Sequence, residues 1–209
     1  VWRTFFSSEK KILSGPEQTG LAGELILAHR FMDNGIEEAT VIRAWKGSER
    51  SHHDFQLPSA TIEVKATIAH NIDNVSISSL RQLDPTGTKK LFLAQVAMDS
   101  HNHGEQTLPH LIKSIRQRLS LFPAERLEFE EKLLASGYRD KDETHYFQQS
   151  FQVRKVRAFR VDEKFPKLTH DLIPEGIVEA TYQVNLGTVA QQVLSFDDFM
   201  LAISSNQND

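Results

Sequence analysis

Two acidic residues and a lysine lie close together in the first third of the chain, at Asp54, Glu63 and Lys65. The last two belong to the run Thr61-Ile62-Glu63-Val64-Lys65, which alternates strictly between apolar and polar residues, as a half-buried β-strand does. Glu63 and Lys65 therefore share one face of the predicted strand. Carboxylates are hard ligands for Mg²⁺ or Mn²⁺, and a lysine ammonium can orient water or offset charge that develops on phosphorus. These residue types predict metal-assisted hydrolysis of a phosphodiester.

Asp54 must be positioned by the element that precedes this strand. Strand-like patterns cover His53–Leu57 and Thr61–Ile68, and Pro58-Ser59-Ala60 between them is typical of a hairpin connection. A hairpin would fold the first strand back beside the second. Asp54 and Glu63 could then share one site if the register permits.

The remaining pattern alternates between helical and extended segments. The apolar run Leu91–Met98 suits a central strand that is covered on both faces. Helices are predicted at about Thr19–Met32, Ser79–Leu83, Pro109–Ser136 with a break at Pro123, and Ser195–Ile203; further strands are predicted at Ala39–Trp45, Tyr146–Val161 and Ile177–Leu186. This order predicts a mixed α/β fold with an antiparallel meander near its start.

Composition bounds the classes of protein that fit. The chain has 209 residues, which indicates one domain over residues 1–209, with a core at about 19–100 and a helical and β elaboration at about 107–203. It contains no cysteine, which excludes disulfides, cysteine-based metal centres and a thiol nucleophile. With 24 basic and 28 acidic residues the net charge is −4, so any contact with nucleic acid must come from local basic clusters.

No stretch approaches the length of apolar sequence that spans a membrane. The opening residues Val1–Phe6 do not follow the basic-then-apolar pattern of a secretory signal. We therefore expect a cytoplasmic protein with no membrane partner.

Asp54 followed by Glu63-Val64-Lys65 resembles the motif of the PD-(D/E)XK nuclease superfamily, with His53 in place of the proline of that name. A wider ordered set resembles one bacterial family of PD-(D/E)XK members found near restriction-modification and phage-defence genes. That set is Gly23-Glu24-Leu25, His53-Asp54-Phe55, Ile62-Glu63-Val64-Lys65, Ser78-Ser79-Leu80-Arg81-Gln82-Leu83, Gly137-Tyr138 and Phe165-Pro166. The resemblance extends roughly from Gly20 to Leu186.

The resemblance implies a restriction-endonuclease-like core in the order α-β-β-β-α-β, with a mixed central sheet flanked by helices and a C-terminal α/β elaboration. It implies a divalent-metal-dependent DNA endonuclease in which Asp54, Glu63 and the carbonyl group of Val64 bind Mg²⁺ or Mn²⁺. Glu24 matches an additional acid that faces the metal in many members. Gln82 matches a functional glutamine on a helix after the Glu-x-Lys strand, and Lys65 would act on the water or the transition state.

Other interpretations of the same residues stay open. A strand with Glu and Lys on one face is usually a solvated face with a weak ion pair. The chain could also be an inactive nuclease-like module that binds DNA or a partner subunit, or it could act on RNA. Because cleavage of both strands of a duplex usually needs two sites, a homodimer or an accessory restriction or defence subunit is expected.

Two basic clusters could contact phosphates, although the default for each is a solvated face. They are Lys113, Arg116 and Arg118 with His110, and Arg154, Lys155, Arg157 and Arg160. His101-Asn102-His103 has the spacing of metal ligands, but a polar loop is the preferred interpretation. Trp45 is expected to pack in the core rather than stack on a base.

Overall fold

The computed structural model describes residues 12–47, 51–102 and 104–204. The predictions for Val1–Phe6 and His103 lie outside these residues. The helices are α1 (Gly15–Asp33), α2 (Glu38–Ala44), α3 (Leu108–Arg118), α4 (Pro123–Ala135), α5 (Glu143–Tyr146) and α6 (Phe196–Ser204). The strands are β1 (Phe55–Gln56), β2 (Thr61–Thr67), β3 (Asn74–Ile77), β4 (Leu91–Asn102), β5 (Gln149–Arg160), β6 (Tyr182–Asn185) and β7 (Val193–Leu194). A 3₁₀ helix, Leu80–Leu83, follows β3.

Five strands form a mixed central sheet in the order β1-β2-β4-β5-β7. Strands β2 and β4 are parallel, and each of the other neighbouring pairs is antiparallel. Strands β3 and β6 form a separate antiparallel ribbon. Residues Leu91–Met98 of β4 are all buried, so this strand is central as its apolar run predicts. The mixed α/β sheet flanked by helices confirms the expected fold class.

The two faces of the sheet bury different sets of side chains. On one face, Ile62 and Val64 of β2 pack into a cluster with the apolar residues of α1. On the other face, Leu93 of β4 and Phe159 of β5 pack against the β3–β6 ribbon. Because side chains alternate along a strand, Glu63 and Lys65 lie on the ribbon face rather than the helix face.

One predicted strand is wrong: residues 39–44 lie in helix α2, and of the predicted Ala39–Trp45 strand only Trp45 is extended, in a bridge with Phe55. Val41 and Ile42 are β-branched and favour extended backbone locally, but both are fully buried at adjacent positions. A half-buried strand would bury alternate residues, whereas a short helix can seat both against α1 and α4. Local propensity is a weak prior that this packing overrides.

Several predicted bounds also change. β1 is limited to Phe55–Gln56, so Asp54 lies just before the strand, and β6 is shorter than the predicted Ile177–Leu186. Tyr146 ends helix α5 instead of beginning β5. Strand β3 was not predicted. Among the described residues, no helix is both long enough and apolar enough to cross a membrane.

Helix α1 begins at Gly15, earlier than predicted, because Ser14 and Glu17 form a reciprocal N-terminal cap. Its buried Gly23 lies directly on strand β2. A Cβ atom at this position would come within 2.4 Å of the Cβ of Ala66. Glycine therefore sets the close approach of α1 to β2, and this approach brings the next residue, Glu24, to the edge of the strand.

We expect Gly23→Ala to destabilise the protein by about 1–3 kcal/mol because the backbone must shift to admit the methyl group. Gly20→Ala is the matched control, since it lies in the same helix and a Cβ atom there would meet nothing within 4 Å. The control should leave stability unchanged or raise it by about 0.5–1 kcal/mol. Urea denaturation measures both, and equal effects would contradict the packing role of Gly23.

Candidate active site

The predicted hairpin is present and places Asp54 beside β2. Phe55 pairs with Ile62, and the backbone N–H of Asp54 donates to the carbonyl of Ile62 at 3.1 Å. The Asp54 side chain then continues past the end of β1, where its Oδ2 accepts the backbone N–H of Val64 at 2.6 Å.

The same contact orients the carbonyl group of Val64. In a strand, the N–H and C=O groups of one residue point toward the same neighbour. Because the Val64 N–H points to Asp54, its carbonyl oxygen also faces this edge and not β4. The position agrees with the proposed ligand role of Val64, which stays a prediction.

Glu63 and Lys65 lie on the same face, as their spacing predicts. Lys65 Nζ is 2.9 Å from Glu63 Oε1, and the side chains are 18% and 3% exposed. The pair is thus mostly removed from water, unlike the solvated strand face that was the alternative interpretation.

Gln82 reaches the same lysine from the 3₁₀ helix. Its Oε1 accepts Lys65 Nζ at 3.1 Å and the backbone N–H of Ser78 at 2.9 Å. Ser79 caps the 3₁₀ helix by accepting the backbone N–H of Arg81. The structure therefore brings Gln82 to the lysine, although only the resemblance had indicated it.

Glu24 approaches from α1 and is held by a residue that sequence reasoning assigned to packing alone. Trp45 Nε1 donates to Glu24 Oε2 at 2.7 Å, and Trp45 is 1% exposed. The backbone of Trp45 forms a β-bridge with Phe55, and the next N–H, of Lys46, donates to the carbonyl of Asp54 at 2.7 Å. One segment after α2 therefore contacts both Glu24 and Asp54. No periodicity links Trp45 to Glu24 across 21 positions.

The three carboxyl groups are poorly solvated and close enough to influence one another. Burial, followed by the charge of Asp54, raises the pKa of Glu63 from 4.5 to about 8, while Lys65 acts in the opposite direction. Burial raises the pKa of Asp54 from 3.8 to about 6, against the Val64 hydrogen bond and the charge of Lys65. Burial and then the charge of Asp54 raise the pKa of Glu24 well above 4.5. The positive charge of Lys65 therefore does not fully offset the burial of the acidic cluster formed by Glu24, Asp54 and Glu63.

The donor chemistry of this cluster fits a hard divalent cation. Its potential ligands are the carboxylate oxygens of Asp54, Glu63 and Glu24 and the carbonyl of Val64. A bound cation would stabilise the ionised carboxylates, whose pKa values are raised mainly by burial. Within the described ranges, however, no three His, Cys, Asp or Glu side chains are already arranged around a common point as ligands. Asp54, Glu63 and Glu24 instead contact Val64, Lys65 and Trp45.

His53 is buried next to Asp54, and its Nε2 has no hydrogen-bond partner among the residues that the structure describes. Burial lowers the pKa of His53, and the charge of His52 acts in the same direction. His53 takes the place of the proline in the superfamily name, and the backbone of Arg81 and Gln82 in the 3₁₀ helix acts on its pKa in the opposite direction to burial.

The structure assigns most of the predicted basic clusters to internal ion pairs. Arg116 contacts Glu130 and Asp140, and Arg118 contacts Asp33. In the second cluster Arg157 is buried, with hydrogen bonds to Asp73, Gln95 and Ile72, and Arg154 contacts Asp99. Lys113, Lys155 and Arg160 are exposed, and His101 lies at the exposed end of β4.

Comparison with known proteins gives one family and no individual relative. Residues 1–187 match the family described as "Putative PD-(D/E)XK family member, (DUF4420)". No curated protein and no solved structure matched the chain. The family match covers most of the 209 residues and includes every residue of the candidate site. The chain therefore belongs to this PD-(D/E)XK family.

Proposed function

We propose that this protein is a divalent-metal-dependent endonuclease that hydrolyses phosphodiester bonds of DNA, with duplex DNA as the favoured substrate. One observation carries the proposal: Asp54, Glu63 and Lys65 occupy adjacent segments at one edge of the sheet, with Lys65 Nζ 2.9 Å from Glu63. The family membership and the oxygen-rich donor set support the same chemistry.

Asp54, Glu63 and the Val64 carbonyl would hold Mg²⁺ or Mn²⁺, and Glu24 would complete the acidic shell directly or through water. When bound, such a cation polarises a phosphate oxygen and lowers the pKa of a bound water. Two of these carboxylates are oriented by protein donors: the Val64 N–H holds Asp54, and the Trp45 indole holds Glu24.

Lys65 is the proposed group that acts on the attacking water or on the charge of the transition state. Glu63 and Gln82 both accept from its ammonium, so its position is set from two sides. A preorganised cation of this kind needs little reorganisation when negative charge develops on the phosphate. Gln82 thus acts by positioning Lys65.

Cleavage of both strands needs a second site, and we propose that a second copy of the chain or an accessory subunit supplies it. A role in restriction or phage defence, in the cytoplasm, belongs to the same proposal.

A supercoiled-plasmid nicking assay with Mg²⁺, Mn²⁺ or EDTA tests the proposal. We expect metal-dependent nicking by the wild type, no nicking in EDTA, and a loss of at least about 100-fold in Asp54→Asn, which keeps an acceptor for the Val64 N–H but loses the charge. Asp171→Asn, an exposed acid elsewhere, is the matched control and should nick as the wild type does. Equal nicking by all three proteins would overturn the assignment.

A nuclease-like module that binds DNA without cleaving it is the second candidate. The observation in its favour is that the described residues show no ready-made set of three metal ligands. DNA binding without metal-dependent cleavage, unchanged by Lys65→Ala, would support this candidate. Parallel digestion of single- and double-stranded DNA and RNA would distinguish the DNA endonuclease and the inactive DNA-binding module from an enzyme that acts on RNA.

The Trp45 hydrogen bond to Glu24 gives a further prediction. Trp45→Phe keeps an aromatic ring beside Phe129, 5.6 Å away between centroids, but removes the indole donor. Because a hydrogen bond to a charged group contributes about 1.5–3 kcal/mol, Mn²⁺ affinity should fall by about tenfold as Glu24 loses its fixed orientation.

Calorimetric Mn²⁺ titration measures this effect, with Phe129→Leu as the control. That control disturbs the same aromatic packing but keeps the indole N–H, so its Mn²⁺ affinity should equal that of the wild type. An equal loss of affinity in both variants would assign Trp45 a packing role only.

A further inference from the structure

The side chain of Arg81 makes a contact that differs from those of most arginines in this chain. Its NH1 donates to Nε2 of His52 at 2.7 Å, and both residues are exposed. Because an arginine N–H can only donate, the imidazole nitrogen is the acceptor and contributes no negative charge. The guanidinium group is therefore held in place without being neutralised.

Other arginines of the described chain are paired with carboxylates: Arg43, Arg116, Arg118, Arg126, Arg154 and Arg157. Among the ion pairs of residues 12–47, 51–102 and 104–204, none includes Arg81. In a chain with an excess of acids, an exposed arginine whose partner is an accepting imidazole nitrogen and not a carboxylate keeps its full charge for an external ligand.

Arg81 also lies beside the candidate active site. It directly precedes Gln82, which contacts Lys65, and its partner His52 lies two positions before Asp54. The Arg81–His52 contact therefore joins the two segments that carry these site residues. The 3₁₀ helix beneath Arg81 is fixed at its start, where Glu179 Oε1 accepts the N–H of Leu80 at 3.0 Å and Ser79 Oγ accepts the N–H of Arg81 at 3.2 Å.

We infer that Arg81 binds a phosphate group of the nucleic-acid strand next to the bond that is cleaved, and that His52 positions its guanidinium for this contact. The inference rests on the proposed nuclease function and identifies how the substrate backbone is recognised. Asp54, Glu63 and Glu24 would repel an approaching phosphate, so a free cation at the rim supplies the attraction that these acids oppose. The planar guanidinium can donate two N–H groups to one phosphate while a third keeps the His52 contact.

Binding of a fluorescent 20-base-pair DNA duplex and a 20-nucleotide single strand, measured by anisotropy over a range of NaCl concentrations, tests the inference. Ca²⁺ replaces Mg²⁺ as an oxygen-binding cation, and a gel verifies that each probe is intact. Loss of one phosphate contact in Arg81→Gln should weaken binding by about five- to tenfold and reduce the salt slope by about 0.9 on the duplex or about 0.7 on the single strand.

The controls separate positioning from general charge. Lys164→Gln removes an exposed cation that belongs to neither basic cluster and lies in no ion pair of the described residues, and it should bind as the wild type does. His52→Ala should lose part of the affinity, whereas His52→Gln, which keeps an acceptor, should retain it. In cleavage assays Arg81→Gln should raise KM and leave kcat within about threefold, because the residue contacts a flanking phosphate.

An unchanged salt slope in Arg81→Gln, or equal losses in Arg81→Gln and Lys164→Gln, would overturn the inference while the nuclease proposal stands. A wild-type protein that binds neither probe would instead contradict the proposed function, and the inference would fall with it.

Discussion

Replacing Lys65 by methionine is expected to reduce metal-dependent DNA cleavage by about 100- to 1,000-fold, which is the usual cost of removing one preorganised electrostatic group from an active site. Methionine keeps most of the side-chain volume but removes the ammonium that contacts Glu63 at 2.9 Å and Gln82 at 3.1 Å. The loss should appear in kcat rather than KM, because the proposed role concerns the transition state.

The same variant should still bind Mn²⁺, with affinity equal to or above that of the wild type. In the metal-free protein Lys65 is the cation beside Glu63, so its removal leaves the carboxylate free for a divalent ion. Cleavage is measured under single-turnover conditions with saturating protein, and Mn²⁺ binding is measured by calorimetry on the same preparation.

Lys164→Met is the matched control, since Lys164 is an exposed lysine that belongs to neither basic cluster nor the candidate site. It should cleave at the wild-type rate. If Lys65→Met cleaves within about threefold of the wild type, Lys65 has no catalytic role. If cleavage and Mn²⁺ binding are lost together, the variant has damaged the site and the role is structural.

The centre of this site could be predicted because local patterns determine it. Strict alternation places Glu63 and Lys65 on one strand face, and a short loop containing Pro58 returns the chain so that Asp54 meets the same strand. The structure confirms both the hairpin and the shared face. The exact contact of Asp54 was not predictable, because β1 ends early and the side chain accepts the Val64 N–H instead of joining the ladder.

The contacts around this centre depend on segments that are distant in sequence. Gln82 reaches Lys65 across 17 positions, and Trp45 reaches Glu24 across 21. Separations this long in sequence produce no helix or strand periodicity, so residue patterns could not predict either contact. The family resemblance indicated Gln82, and no sequence feature indicated the Trp45 donor. Burial also overrides local preference at α2, where adjacent Val41 and Ile42 favour a strand in isolation.

The sequence shows where the basic residues cluster, but it does not show which of them are paired with acids inside the fold. Arg157 belongs to a basic run that suggested contact with phosphates, yet it is 6% exposed and hydrogen-bonded to Gln95 and Asp73. Arg81 is part of the Ser78–Leu83 motif but belongs to neither basic cluster, and its exposed contact with His52 Nε2 becomes visible only in the structure. The availability of a cation therefore depends on tertiary contacts that one-dimensional charge counts omit.

Protonation of Glu63 should make the metal-free protein more stable at pH 6 than at pH 9. Its folded pKa of about 8 lies above the ordinary value of 4.5, so the folded state takes up a proton at a higher pH than the unfolded state does. The free energy of unfolding therefore increases as the pH falls through about 8, and the contribution of Glu63 is fully present near pH 4.5. The same contribution is lost when the pH is raised back through about 8. Between pH 6 and pH 9 the contribution is about 2–3 kcal/mol.

Glu63→Gln should remove most of this dependence, because the amide cannot titrate and can still accept from Lys65. In EDTA at pH 9 the variant should be more stable than the wild type, and the two should converge as the pH approaches 5. Urea denaturation at each pH measures the free energy of unfolding. Glu131→Gln, an exposed acid on α4, is the control and should keep the wild-type profile.

Binding of Mg²⁺ should reduce the energetic cost of ionising the buried Glu63 carboxyl group. A cation bound at Asp54 and Glu63 would offset the cost of burying their charges, which is the main cause of both raised pKa values. A 10-fold excess of Mg²⁺ over its dissociation constant should therefore stabilise the wild type at pH 9 by about 1.4 kcal/mol. Glu63→Gln should gain much less, since it lacks a ligand. If the free energy of unfolding of the wild type in EDTA does not change with pH, burial of the Glu63 charge has no energetic cost. If Mg²⁺ stabilises Glu63→Gln as much as the wild type, the cation binds elsewhere. An acidic site that is destabilising without a cation and is stabilised by one favours the metal-bound state. The pH dependence of unfolding in EDTA and the stabilisation by Mg²⁺ therefore together decide whether Asp54 and Glu63 form a metal site.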